Sequence, residues 1–140
     1  MYHKILLALD ATSADRTLLA HIVDLAKFHG SKLLLVHVAD GWAARHFDAL
    51  KLAESEEIKE DRAYLERVAG ELKAQGLEVT TRLAMGNPPD EILKTSAAEQ
   101  CDLIAMTSHG HRFLADIVLG STIEAVRHRT HTPLLIVRAD

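Results

Sequence analysis

The sequence predicts an α/β fold of three layers, in which helices cover both faces of a parallel, five-stranded β-sheet. Short apolar segments of strand length alternate along the chain with longer segments whose apolar residues recur at helical spacing. Nearly continuous apolar runs among the short segments are typical of strands buried on both faces. The 140 residues contain no internal repeat and no linker, so we expect one domain over residues 1–140.

Five segments have the character of strands. They are residues 4–10, 31–40, 77–86, 101–107 and 132–138. The first two are apolar enough to be buried on both faces of a sheet. The third alternates apolar and polar residues, which indicates an edge strand or a strand with one wetter face.

Two helices are predicted in the first half of the chain. The first begins at Thr12 or Ser13, has an acid three residues after Thr12, and ends at Gly30. Residues 41–55 have no clear period, so we expect a loop or a loose helical entry there. An amphipathic helix follows from Glu56 and ends at Gly76.

Two further helices are predicted in the second half. Asn87 suits the cap of the third helix, which has prolines and two acids in its first turn and runs to about Gln100. The fourth is expected from Ser121 to about Arg129. Ser121 is followed three residues later by Glu124, which is the spacing of a capping box.

Composition limits the classes of function. Sixteen Lys and Arg against 20 Asp and Glu give a net charge of −4, which argues against a nucleic-acid-binding surface. The one cysteine, Cys101, excludes an internal disulfide and a multi-cysteine zinc site. No apolar stretch approaches the ~18 residues of a membrane span, and the first apolar run is too short for a signal peptide. We therefore expect a cytoplasmic protein without a membrane segment.

Ligands of open parallel sheets bind beyond the carboxyl ends of the strands, near a switch in strand order. Three such ends carry polar or glycine residues here: Asp10, the segment 38–40 and the segment 107–110. The first and fourth strands are good candidates to flank the switch. In that case Asp10 and Gly110 lie close together in space.

The segment 106–122 has features of a phosphate site. Nine residues separate Gly110 from Gly120, and the predicted helix start at Ser121 follows directly. A helix N-terminus presents unpaired N–H groups and the positive end of a dipole, which suit a phosphate. A capped helix after a glycine-containing loop is also compatible with a plain strand-to-helix connection, and neither a GxxxxGK[ST] nor a GxGxxG motif occurs.

The same segment resembles the G-x2-G-x9-G-[S/T] motif of the universal stress protein family. The likeness extends over the chain, through Asp10 after the first strand, GNPPDEIL, CDLIAMTSHG and the closing TPLLIVR. It implies a Rossmann-like parallel sheet, similar to the adenine nucleotide alpha hydrolase fold, with strand order 3-2-1-4-5. It also implies a homodimer that pairs through the last strand, residues 133–137.

One branch of the family binds ATP through this motif, and the resemblance places a nucleotide, ATP or a smaller adenine nucleotide with Mg²⁺, in this chain. Asp10, with Ala8 beside it, would face the adenine or ribose. Val38 would bind adenine through its backbone, and Met106 and Thr107 would line the ribose. The phosphates would be held by Gly110, Gly120, Ser121 and Thr122. Ile123 would contribute through its backbone.

Thr107 departs from the motif, which has a glycine at this position. A β-branched residue fits poorly if the position needs a positive φ. If only a close approach is needed, the threonine either crowds the ribose or donates a hydrogen bond to it. The resemblance implies a nucleotide-dependent sensor or regulator in the stress response. One alternative is an interaction module that binds no nucleotide and whose dimer surface binds a partner protein. A slow nucleotide hydrolase is less favoured.

Other polar residues carry weaker indications. His37 lies in an apolar strand, which favours a core histidine with its hydrogen bonds satisfied over a catalytic one. His109 and His111 would need further ligands to form a metal site. Trp42 and Phe47 either cover the nucleotide or pack in a variable loop. No Ser-His-Asp or Cys-His arrangement is recognisable, so no catalytic residue is assigned.

Overall fold

The computed structural model describes residues 1–39, 51–109 and 116–139, with backbone alone at 51–55, 109 and 116–120. Strands and helices alternate along these residues. In chain order they are β1 Lys4–Ala8, α1 Ala14–His29, β2 Lys32–Ala39, α2 Lys51–Ala74, β3 Val79–Met85, α3 Pro88–Ala98, β4 Leu103–His109, α4 Asp116–Arg129 and β5 Leu134–Ala139.

The five strands form one parallel sheet in the order β3-β2-β1-β4-β5. This confirms the predicted fold class and the strand order that the family resemblance implied. The order reverses at β1, whose neighbours are β2 on one side and β4 on the other. β3 lies at an edge of the sheet, in agreement with its alternating sequence.

Each face of the sheet carries its own hydrophobic core, because successive strand side chains point to opposite faces. Ile5 and Leu7 of β1 pack in a cluster with residues of α1 and α2. Leu6, between them, packs with Ile92 of α3 and Val126 of α4. The structure thus has the three layers that the apolar runs predicted.

The third helix begins as its sequence predicts. The Asn87 side chain accepts a hydrogen bond from the backbone N–H of Asp90 at 3.3 Å, and prolines occupy the first turn. α1 follows the turn after β1, but its cap differs from the expected capping box. Ser13 occupies the cap position without a side-chain cap bond, and Thr12 Oγ1 accepts from the Ala14 N–H at 3.3 Å.

Two helices begin earlier in the chain than the sequence predicts. α2 begins at Lys51, so the last five residues of the segment predicted as a loop or loose entry are helical. α4 begins at Asp116 and not at Ser121, which places Gly120 inside the helix. A glycine costs a helix interior only about 1 kcal/mol relative to alanine. Asp116 is an acid at the first helical position, where a negative charge is favourable. Gly120 therefore does not determine where α4 begins.

β4 also extends two residues beyond its predicted end at Thr107, to His109. Among the described residues, no helix is both long enough and apolar enough to cross a membrane.

Candidate functional site

The central strand of the sheet is shorter at its carboxyl end than both of its neighbours. The last pairs of β1 are Ala8 with Val36 of β2 and Leu7 with Ala105 of β4. β2 continues to pair as far as residue 39 and β4 as far as residue 109. A gap therefore opens beyond Ala8, between residues 36–39 and 106–109, and we call it the crevice. It lies at the switch in strand order, where ligands of such sheets bind.

The backbone of Val38 points toward the crevice. In a parallel strand the N–H and C=O of one residue point to the same side, and the side alternates from residue to residue. Val36 faces β1, because its carbonyl accepts the Leu9 N–H at 2.8 Å. Val38, two residues on, faces the same side at a level where β1 has already ended. One donor and one acceptor are thus presented to the crevice by a strand that the sheet holds in place.

A tight turn follows β1 and forms the rim of the crevice. Asp10 Oδ1 accepts from the Thr12 N–H at 3.1 Å and from the Thr12 hydroxyl at 2.6 Å. Ala11 between them has φ of +62°, a left-handed conformation that costs an L-residue roughly 1–2 kcal/mol. The predicted ligand residue Asp10 is therefore fixed in orientation by its own turn.

Asp15 of α1 holds the turn from the interior. Its side chain is 1% exposed. Its Oδ1 accepts the Asp10 N–H at 3.1 Å, and its Oδ2 accepts the Ala11 N–H at 3.0 Å. The Tyr64 hydroxyl of α2 donates to the same Oδ2 at 2.6 Å. Two successive backbone N–H groups and one hydroxyl thus surround a single carboxylate.

Burial raises the pKa of the Asp15 carboxyl from 3.8 to about 6, and the negative charge of Asp10 adds to the effect. The hydrogen bond from Tyr64 acts in the opposite direction, because it favours the ionised carboxylate. The pKa of Tyr64 is raised well above its ordinary value, first by burial and then by its bond to Asp15. The tyrosine therefore remains a donor at every physiological pH.

His37 is a core histidine with its ring nitrogens partnered, as the sequence suggested. Its Nδ1 lies 2.8 Å from the Leu9 carbonyl and must donate, since a carbonyl oxygen only accepts. Its Nε2 lies 3.5 Å from Oδ2 of Asp61 on α2. α2 is therefore connected to the end of β1 both through His37 and through Asp15.

On the opposite wall, the side chains of Met106 and Thr107 are each 4% exposed. Met106 packs in the core beneath α3 and α4. Thr107 pairs with Val137 within the sheet, and among the described non-glycine residues positive φ occurs at Ala11 and Gln100 only. Position 107 is extended backbone, which suits a β-branched residue. The conformational objection to threonine at this place in the motif does not apply.

The glycine segment is placed differently from its prediction. Gly110 lies outside the described residues, while Gly120, Ser121 and Thr122 lie in the second turn of α4. The unpaired N–H groups of a helix belong to its first turn, which here precedes Gly120. Thr122 is buried at 5% exposure and Ser121 is exposed.

The predicted capping box is absent as well. Glu124 accepts from Arg127 at 2.8 Å and lies 3.4 Å from His128, further along α4. These partners lower the pKa of the Glu124 carboxyl. Ile123 packs against the core that contains Val126.

Sequence reasoning placed Asp10, Ala8 and Val38 around one gap, and the structure brings them together there. It missed Tyr64 and the role of Asp15. The sequence marks Asp15 only as an acid at capping distance from Thr12. Tyr64 lies 49 residues further along the chain. The sequence around a tyrosine on an amphipathic helix does not indicate which residue its hydroxyl binds.

Comparison with known proteins agrees with this architecture. The model of the universal stress protein family matches residues 1–138. Universal stress protein MJ0577 of Methanocaldococcus jannaschii is 27% identical, over 99% of this chain and 96% of the relative. The solved structure of MJ0577 superimposes with a TM-score of 0.83, covering 100% of this chain and 98% of that chain at 28% identity.

Two further solved structures share the fold at lower identity. A universal stress protein in complex with cAMP has a TM-score of 0.69 at 20% identity and covers 98% of this chain and 97% of its own. A universal stress protein from Archaeoglobus fulgidus in complex with dAMP has a TM-score of 0.72 at 19% identity, covering 97% and 98%. The family model matches nearly the whole sequence, and the strands of the parallel sheet have the order that the family resemblance implied. The chain therefore belongs to the universal stress protein family.

Proposed function

We propose that this protein binds an adenine nucleotide in the crevice and acts in the cytoplasm as a nucleotide-dependent sensor or regulator in the stress response. The observation that carries the proposal is the short β1, which leaves the backbone of Val38 facing a gap at the switch in strand order. The relatives with bound cAMP and dAMP support the ligand class.

The adenosine half of the ligand fits the described residues. The edge of adenine offers an amino donor beside a ring-nitrogen acceptor, and the C=O and N–H of Val38 are the complementary pair. Ala8 closes the inner end of the gap with a small side chain. Asp10, held at the rim by Thr12, is a carboxylate acceptor for the ribose hydroxyls.

ATP is the proposed ligand, with Mg²⁺ neutralising its phosphates. Gly110, Gly120, Ser121 and Thr122 would hold the phosphates, as in the family motif. In the structure the helix starts at Asp116, so backbone contacts from residues 120–122 require the first turn of α4 to unwind when phosphates bind. Gly120 makes that opening easier, because a glycine lowers the stability of a helix by about 1 kcal/mol relative to alanine.

One observation favours the second candidate, an interaction module that binds no nucleotide. α4 encloses Gly120 and Ser121 in regular helix, a conformation that gives a phosphate no free N–H groups at this position. Such a protein would act through its dimer. β5 is an edge strand whose Ile136 is 39% exposed, and pairing of residues 133–137 between two copies would cover that edge.

Mass spectrometry of nucleotide released from freshly purified protein, followed by calorimetric titration, separates the two candidates. We expect affinity for adenosine, AMP, ADP and ATP, rising along the series when Mg²⁺ is present. Gly120→Val should remove the gain from the added phosphates while it leaves adenosine binding. Gly70→Val, in the middle of α2 with open space around its Cα, is the matched control.

Equal affinity for adenosine and ATP would contradict the phosphate half of the proposal. No measurable affinity for adenosine, AMP, ADP or ATP would contradict nucleotide binding and favour the interaction module. Hydrolysis is expected to be slow, because no general base or arginine finger for phosphoryl transfer is recognisable among the residues that the structure describes. Phosphate release near an ordinary enzyme rate, on the order of 10 per second, would instead identify a nucleotide hydrolase.

A further inference from the structure

The carboxylate of Asp15 occupies a concave arrangement of backbone donors at the rim of the crevice. The N–H groups of Asp10 and Ala11 are successive, and the left-handed conformation of Ala11 turns both toward α1. Such a pair of N–H groups forms an anion-binding concavity. Here the anion is supplied by the protein itself, from a side chain that is 1% exposed.

Tyr64 completes the arrangement from a different helix. Its hydroxyl donates to Asp15 Oδ2 at 2.6 Å, so α2 holds the Asp15 carboxylate in place. The carboxylate holds the turn at Asp10 and Ala11. The carboxylate accepts three hydrogen bonds and donates none. The ionised form meets all three donors as an acceptor, whereas an amide presents a donor of its own to at least one of them.

We propose that Asp15 and Tyr64 are positioning residues for the nucleotide site, which hold Asp10 at the rim of the crevice through the backbone of Asp10 and Ala11. This inference rests on the proposed function. Neither residue touches the ligand. When the carboxylate is lost, the strained turn at Ala11 relaxes, Asp10 moves away from the ribose, and nucleotide affinity falls.

The arrangement makes binding depend on pH. Burial brings the pKa of Asp15 to about 6, so the carboxyl becomes protonated in mildly acidic solution and one acceptor turns into a donor. Two titratable groups face it, namely the charged carboxyl of Asp10 from the turn and the neutral hydroxyl of Tyr64 from α2. Arg67 stands 5.3 Å from the centre of the Tyr64 ring, and the His37–Asp61 pair lies beside the same end of β1.

The hydrogen bond from Tyr64 lowers the pKa of Asp15, so its removal raises that pKa. Tyr64→Phe should therefore shift the loss of affinity to higher pH. Asp15→Asn should have weak affinity at every pH and show no transition. These shifts distinguish a positioning role from a general loss of packing, which would lower affinity without moving the midpoint.

The test is calorimetric titration with cyclic AMP between pH 5 and pH 8. This probe avoids the phosphate monoester, whose own pKa near 6 would overlap with that of Asp15. We expect the wild-type affinity to fall about tenfold from pH 7.5 to pH 5, and Tyr64→Phe to lose roughly fivefold to tenfold already at pH 7.5. Tyr2→Phe, at the amino end of the sheet against His29, is the matched control and should behave as wild type.

The inference is overturned if folded Tyr64→Phe has the affinity and pH profile of Tyr2→Phe. The backbone amide signals of Asp10 and Ala11 in nuclear magnetic resonance spectra give a second readout without nucleotide. They should titrate with a midpoint near pH 6 in wild type and not in Asp15→Asn. A wild type that binds no nucleotide removes the proposed function, and constant amide shifts would then show that Asp15 does not hold the turn. If Asp15→Asn does not fold, the amide titration of Tyr64→Phe, with a raised midpoint, decides.

Discussion

Replacing Ala11 by glycine should stabilise the protein, although most glycine substitutions destabilise. Ala11 has φ of +62°, where an L-residue carries a strain of roughly 1–2 kcal/mol and glycine carries none. Glycine also has more freedom in the unfolded chain, which costs about 0.4–1 kcal/mol on folding. The difference predicts a net gain of about 0.5–1 kcal/mol in the free energy of unfolding of Ala11→Gly.

Urea denaturation followed by circular dichroism measures this change, and the melting temperature should rise by about 2–4 °C per kcal/mol. Gln100→Gly is a matched variant far from the crevice, since Gln100 has φ of +54° and should also gain stability. Ala20→Gly, on the exposed side of α1, should lose about 1 kcal/mol. A loss of stability in Ala11→Gly as large as that in Ala20→Gly would refute the left-handed conformation of Ala11.

Three further changes test other parts of the structure. Leu6→Ala, at a side chain with no exposure, should cost about 2–5 kcal/mol in urea unfolding, whereas Phe28→Ala, at 84% exposure, should cost under about 1; similar losses would contradict the assigned core. The pKa of Asp15 rises from 3.8 in the unfolded chain to about 6, so the native state binds the extra proton between these values and stability falls as pH rises through them. The free energy of unfolding of wild type relative to Asp15→Asn should therefore fall by about 2.4 kcal/mol from pH 4 to pH 7, and a flat difference would show that the carboxyl is not buried as described. Burial raises the pKa of Cys101 from 9.0 to about 11, so iodoacetamide at pH 7.5 should alkylate the native thiol on the order of 100-fold more slowly than the urea-unfolded one, and equal rates would place the thiol at the surface.

The layers and strands could be predicted because they depend on local patterns. Ile5, Leu6 and Leu7 are apolar at successive positions, a pattern typical of a strand that is covered on both faces. The structure buries all three side chains completely. Asn87 with its prolines carries a complete helix-start signal within four residues, and α3 begins there. Strand order needed the family resemblance, because no local pattern states which strands are neighbours.

The rest of the site depended on information that is not local. Gly120 and Ser121 have the composition of a helix start, yet α4 begins at Asp116, since a mid-helix glycine costs too little to set a boundary. Thr107 could not be judged from the motif alone, because its fit depends on whether β4 continues through it. The contact between Asp15 and Tyr64 arises only when α1 and α2 pack on one face of the sheet.

The switch in strand order also has a consequence for how the chain is made. One neighbour of β1, the strand β2, is synthesised soon after it, but the other, β4, begins only at Leu103. Until that segment leaves the ribosome, a central apolar strand is an open edge that can pair with another chain. The crevice is complete only once both halves of the chain have joined. A ligand that spans the crevice would therefore bind only the completely folded chain. Its binding would stabilise the association of the two halves of the chain.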